Sequence, residues 1–253
     1  MSINHSGLHY KDSEAPYGRR VIDILANTAE AIYILNLQWP TSSTIPADLP
    51  PTRHRMDGSN PTSYTIYSIP SIPTHRHILQ FKELRLRALE TDPEHFGSTY
   101  DQALSLSYEQ WKSRIQSRDK VTIIAAIPSS SGEEWVGMIT LAGRKTLHKF
   151  DFAPPRAARV QVGEEYFAVF SVWVDPEHRR KGLGRKLMES GINWIKSDDG
   201  PADLGVEKRT ILLQVTESNQ AAIGLYSAMG FKIIESDEGV EDKKPWMCFK
   251  LGD

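Results

Sequence analysis

Cysteine is nearly absent: one residue, Cys248, in a chain of 253. No internal disulfide can form and no cysteine-built zinc cluster is expected, so neither covalent nor metal cross-links are expected to hold the fold. A reducing compartment fits, so the cytoplasm is the expected location, with the nucleus not excluded. Apolar runs of membrane-spanning length are missing too, which argues against a membrane role. The first twenty residues carry Asp12 and Glu14 and no apolar core, unlike a signal or transit peptide. Nor does one sign of charge dominate. Lys+Arg number 30 against 32 Asp+Glu, for a net charge of −2. That balance speaks against nucleic acid as a partner and requires any anion site to be local. No internal repeat is visible.

What is present divides in two. Over Arg19–Leu37, Val21, Leu25, Ala29 and Ile32 recur at helical spacing, although Ala31–Leu37 also reads as a strand. Pro46, Pro50, Pro51, Gly58 and Pro61 then mark residues 41–61 as a linker. The expected organisation is an N-terminal extension over 1–60 and one domain over 61–253. The apolar stripe of the extension needs a surface to cover it. A homodimer through this helix is one expectation, and a locally folded appendage is the other.

Within the domain, the spacing predicts a strand over Tyr64–Ile69 and a helix over Thr74–Glu90, with Ile78, Phe81 and Leu84 or Ala88 inward. Ser107 and Gln110 form a capping box that opens a short helix, with Tyr108, Trp111 and Ile115 on one side. Val121–Ile127 and Glu134–Ala142 read as an antiparallel hairpin. Residues 144–164 show no period and carry Pro154-Pro155, so they are expected to be a long loop.

The stretch from Phe170 to Trp194 organises the rest. Phe170–Val174 is an apolar strand ended by Asp175-Pro176, and from Leu183 the period becomes helical, with Leu187 and Gly191 on the same face. Between them lies Arg179-Arg180-Lys181-Gly182-Leu183-Gly184-Arg185. Two glycines allow a sharp turn and close ligand approach. The amides at the helix start are unpaired and carry the positive end of the helix dipole. Four cations, Arg179, Arg180, Lys181 and Arg185, surround them, which suits a phosphate or pyrophosphate. An ordinary helix start with a solvated basic run is the plainer account. The Walker A spacing is absent, and Leu187 stands where a dinucleotide fingerprint needs its third glycine. Further on, Arg209–Val215 reads as a strand, Asn219 or Ser218 as a cap, and AAIGLYSAMG as a helix stopped by Gly230. Phe231–Glu235 and Trp246–Leu251 read as strands.

Arg179-x-x-Gly182-x-Gly184 after Val174-Asp175-Pro176 resembles the acetyl-CoA signature of the Gcn5-related N-acetyltransferase (GNAT) superfamily. Asn219-x-x-Ala222-x-x-Leu225-Tyr226-x-x-x-Gly230-Phe231 is similar to its second motif. The resemblance covers Tyr64–Leu251 in element order. It implies an α/β fold with a central mixed sheet of six to seven strands flanked by helices. It implies acetyl-CoA as cosubstrate, no metal, and an amine of a small molecule or peptide as acceptor. Val172, Trp173 and Val174 are expected to hold the pantetheine arm by main-chain pairing where two parallel strands splay. Residues Arg179–Arg185 would hold the pyrophosphate, and Asn219 the arm or a water, though capping also accounts for Asn219. Tyr226 would protonate the leaving thiolate as a general acid, its alternative being a core tyrosine.

The base is not evident. Ala168, Phe170 and Ser171 occupy the strand where many superfamily members place a glutamate. Glu164, Glu165 and His148 are the remaining candidates, and none is assigned. That gap keeps open a non-catalytic acyl-CoA binding or sensing module. The acceptor side is expected from Glu90–Tyr100, Arg144–Glu164 and the acidic Asp237–Lys244 segment.

Overall fold

A single seven-stranded sheet runs through the computed structural model, which describes residues 63–130, 132–197, 209–234 and 244–252. The helix expected over Arg19–Leu37, the linker and most of the acidic 237–244 segment lie outside the described residues. In chain order the elements are β1 (Thr65–Ser68), α1 (His75–Thr91), α2 (Tyr100–Leu104), α3 (Tyr108–Ile115), β2 (Lys120–Ser129), β3 (Gly132–Gly143) and α4 (Arg144–His148). They continue as β4 (Glu165–Val174), α5 (Leu183–Lys196), β5 (Arg209–Gln214), α6 (Gln220–Ala228), β6 (Lys232–Ile234) and β7 (Trp246–Leu251). The sheet order is β1-β2-β3-β4-β5-β7-β6. Every neighbouring pair is antiparallel except β4 and β5.

Helix starts follow local chemistry. Thr74, Thr99 and Ser107 each close a capping box at the head of α1, α2 and α3. Alternation along the strands then sorts side chains between two faces. Val121, Ile123, Ile139, Phe167, Val169 and Ile211 meet Leu183, Leu187, Met188 and Ile195 of α5. On the opposite face Ile124, Ala126, Trp135 and Met138 meet Ile78, Phe81, Leu84 and Ala88 of α1 and Trp111 of α3. Further along that face, Leu147 of α4 and Phe152 cover Tyr166, Ala168, Leu212 and Cys248.

Three local expectations change. Residues 144–164 hold a helix, α4, and a 3-10 turn at Arg156–Ala158, short elements set by packing on the sheet rather than by period. Glu165 is the first residue of β4, not upstream of it. Tyr108 is 39% exposed and packs on His75 at 5.0 Å, while Trp111 and Ile115 of the same helix are buried.

Candidate active site

The site grows from a fault in β4. Glu165 to Ala168 pair in parallel with Arg209 to Leu212, and there the pairing stops, although both strands continue. On its other edge β4 pairs Phe170 with Thr140 and then Trp173 with Met138, so Ser171 and Val172 face Ile139 alone. Ser171 sits in the left-handed region, at φ 54°. This is a β-bulge, one extra residue that bends and twists the strand. It also reverses the faces. Phe167 and Val169 look toward α5, whereas beyond the bulge Val172 and Val174 do, and Trp173 turns to the α1 side. The bulge and the end of parallel pairing together open a wedge between β4 and β5.

A brace holds the far end of β4. Asp92, the buried C-cap of α1, accepts a hydrogen bond from Trp173 Nε1 at 2.7 Å and pairs with the Arg179 guanidinium. Arg179 Nε donates to the Val174 carbonyl at 2.9 Å. Arg87 of α1 reaches Asp175 at 3.4 Å. The Arg179 side chain is thus engaged within the fold, unlike a free phosphate-binding cation, and its N–H donates to the Pro176 carbonyl. Asp92, Glu94 and His95 bring ligand-type atoms within 4.8 Å of one another. With Asp92 already paired to Arg179, this grouping reads as an ion-pair structure.

The start of α5 differs from its neighbours. Its N-cap is Gly182 (φ 77°, ψ 4°) and no side chain caps the exposed amides. Nothing lies within 4 Å of where a Gly182 side chain would begin. Leu183, Gly184 and Arg185 therefore present N–H groups toward open space at the positive end of the helix. Leu183 itself is buried, so only its backbone is available. Arg180, at φ 61°, and Lys181 are exposed, with no ion-pair partner among the described residues. Arg185 divides its guanidinium between Glu189 at 3.3 Å and the Ala228 carbonyl at 3.3 Å.

Opposite, α6 delivers two side chains. Asn219 is its N-cap, and its side-chain oxygen accepts from the Ala222 N–H at 3.1 Å, which leaves its amide nitrogen for other partners. Tyr226 is buried, 5% exposed, and the end of the helix fixes it. Gly230, at φ 95°, donates to Ser227, Phe231 donates back to the Tyr226 carbonyl at 3.0 Å, and the Tyr226 and Phe231 rings lie 5.9 Å apart. These are the bonds and the apolar contact of a Schellman stop. Burial pushes the Tyr226 hydroxyl's pKa well above the usual phenol value.

A cavity lies between the wedge and α6. Ala168, Ser171 and Val172 form one wall, and Leu213, Val215, Asn219 and Tyr226 form another. Arg85, His95, Gly97, Ser98, Lys244 and Trp246 close the far side. Trp173, Val174 and the 179–185 turn do not line it. Of the expected acceptor segments, the loop after α1 and Lys244 reach the cavity, and residues 144–164 do not. Glu164, Glu165 and His148 are likewise absent from the wall. Glu164 accepts from the Gln161 N–H at 2.9 Å, and His148 packs on Tyr166 at 6.0 Å. Arg85 and His95 escaped the sequence reading. Arg85 was detectable, because it falls on the inward stripe of α1 with Ile78, Phe81 and Ala88. No local sequence signal marks the Ser171 bulge.

Among the described residues the fold is a mixed sheet split at its single parallel pair, with an uncapped glycine helix start beside the split. The chain belongs to the acetyltransferase (GNAT) family, whose model matches residues 83–231. Over 77 residues it is 39% identical to the ribosomal protein bS18-alanine N-acetyltransferase of Escherichia coli K12, a stretch covering 29% of this chain and 45% of that one. It is 34% identical over 77 residues to the mycothiol acetyltransferase of Propionibacterium freudenreichii, covering 30% of this chain and 22% of the relative. The chain thus spans less than half the length of these curated relatives. The crystal structure of a GNAT-family acetyltransferase from Streptococcus pneumoniae aligns with a TM-score of 0.50 at 20% identity, covering 75% of this chain and all of the other. That likeness is one of fold.

Proposed function

We propose that this chain is an acetyl-CoA-dependent N-acetyltransferase, moving an acetyl group to a primary amine of a small molecule or peptide by direct attack within a ternary complex. The carrying observation is the single cavity that runs from the β4–β5 wedge past Asn219 and Tyr226 to the loop after α1. In this reading the unpaired amides of Gly182–Arg185, with Arg180 and Lys181, hold the pyrophosphate. Main-chain groups of Val172–Val174 hold the arm as an added strand would. The thioester carbonyl then lies between the two helical sides, open to an amine from the far end.

The proton balance assigns roles. Attack by a neutral amine forms the C–N bond and breaks C–S, so one proton leaves nitrogen and one must reach sulfur. Tyr226, kept protonated by burial, donates a hydrogen bond to sulfur as negative charge builds there. Its raised pKa makes it a poorer acid than a free phenol, so stabilising the thiolate is its main service. Among the described residues no Asp or Glu lines the cavity. His95 does, and its Nδ1 has no hydrogen-bond partner, so in this reading it takes up the amine proton directly or through water.

Tyr226→Phe tests the assignment. Turnover is expected to fall about tenfold to a thousandfold, while acetyl-CoA affinity measured by calorimetry changes little. Unchanged turnover would remove Tyr226 from the chemistry. The lack of a wall carboxylate favours a second reading, a non-catalytic acyl-CoA sensor. Such a protein would bind the coenzyme yet release no free thiol with any amine.

A further inference from the structure

The far wall of the cavity contains a buried cation without a counter-ion. Arg85 is 6% exposed and lies 4.2 Å above the Phe96 ring. One of its nitrogens donates to Ser98 Oγ at 3.0 Å, while Nε and Nη1 are buried with no hydrogen-bond partner. Among the described residues no carboxylate pairs with it and none lines the cavity. Burial first, and Arg114 second, pull its pKa down to about 9. A buried ion left unpaired costs several kcal/mol, and replacement by an apolar side chain often stabilises a fold. Such an arginine therefore weakens the empty protein, and a ligand is what would repay it.

We propose that Arg85 is the anion subsite of the acceptor pocket, so that the preferred acceptor is an amine carrying a compact oxyanion, a carboxylate or a phosphate. This rests on the acetyltransferase reading and names its substrate class. The coenzyme's own pyrophosphate is not the anion concerned, because none of residues 179–185 lines this cavity. The guanidinium is also held in place: Phe96 packs on its plane and Ser98 accepts from Nη2, while the residue lines the cavity wall, and a guanidinium so held suits an oxyanion.

Two matched pairs test the proposal: 4-aminobutyrate against butylamine, and O-phosphoethanolamine against ethanolamine. With the full-length protein and acetyl-CoA, free-thiol release should favour the charged member of at least one pair by about tenfold in kcat/KM. The pair that shows the preference identifies carboxylate or phosphate. In Arg85→Met that charged-to-neutral ratio should fall about tenfold to a hundredfold, and Arg85→Lys should restore part of it. Melting supplies an arm that needs no turnover. The charged probes should raise Tm of the coenzyme A-loaded wild type more than the neutral probes at equal ionic strength, and should lose that advantage in Arg85→Met. Without ligand, Arg85→Met should melt at the same temperature as wild type or higher, whereas a structural arginine would make it melt lower. If no amine releases thiol, the catalytic reading fails and the melting arm alone decides on the subsite. Equal rates and equal melting shifts for charged and neutral probes in the wild type would overturn the proposal, whether or not the variants fold.

Discussion

Tyr226 keeps its proton because its ring is buried behind Phe231, and that has a measurable consequence in pH. A neutral acid whose pKa is raised stays protonated as pH climbs past the ordinary phenol value of about 10. The turnover profile should therefore show no alkaline fall attributable to Tyr226 up to about pH 10. The same sign governs stability. The unfolded chain releases this proton more readily than the folded one, so the contribution is full below about pH 10 and is lost as pH rises further. A chemical-denaturation series between pH 8 and 11 checks it, with Tyr226→Phe expected to be less sensitive at the alkaline end. Asp92 is the second residue with a clear prediction. Removing it in Asp92→Ala leaves the Trp173 indole N–H buried without an acceptor and releases Arg179 from its partner. The Arg179 side chain is 40% exposed, so most of the loss belongs to the indole, about 1–3 kcal/mol by denaturant unfolding. Coenzyme affinity should fall with it, because the end of β4 and the turn before α5 hang on this carboxylate.

Elements differ in how much of them could be read in advance, and the difference has a physical cause. Helix limits are written in short-range chemistry. The capping box at Ser107, the cap at Asn219 and the stop at Gly230 were legible because each needs only a few neighbouring residues. The hairpin β2–β3 and the strand-turn-helix around Gly182 were legible for the same reason. The bulge at Ser171 was not. It is a serine held in a left-handed conformation by the register of β3 against β4, a relation between strands about thirty residues apart. The short helix α4 was hidden likewise, since its helicity comes from docking Leu147 on the sheet. The turn at Gly182 offers an element-scale test. A methyl group there meets no protein atom within 4 Å, so Gly182→Ala should lose only the cost of a left-handed alanine, about 1–2 kcal/mol. If that open space belongs to the coenzyme, affinity for coenzyme A should fall more than tenfold. Calorimetry beside a thermal melt separates the two effects, and equal affinity would move the pyrophosphate elsewhere.

At the scale of the whole molecule, the site is assembled from two kinds of material. In the proposed reading the coenzyme side comes from two continuous stretches, 172–185 and 215–231, which is why residues for it could be put forward from sequence. In the same reading the acceptor side comes from α1 and the loop through Ser98, together with the entry to β7 more than a hundred residues further on, which meet only over the split sheet. The base and the identity of the acceptor were illegible for that reason, although the loop after α1 and Lys244 fall within segments expected there. The extension expected before residue 61 is the remaining unit, and truncation tests what it does. The family model matches residues 83–231, all of them beyond the extension. A chain lacking residues 1–60 should therefore keep coenzyme A affinity within about threefold and melt within a few degrees of the full chain. If the apolar stripe of Val21, Leu25, Ala29 and Ile32 joins two copies, light scattering should show the mass falling from two chains to one on truncation. An unchanged mass would remove pairing from the role of the extension, and a large loss of coenzyme affinity would instead place part of it at the β4–β5 wedge.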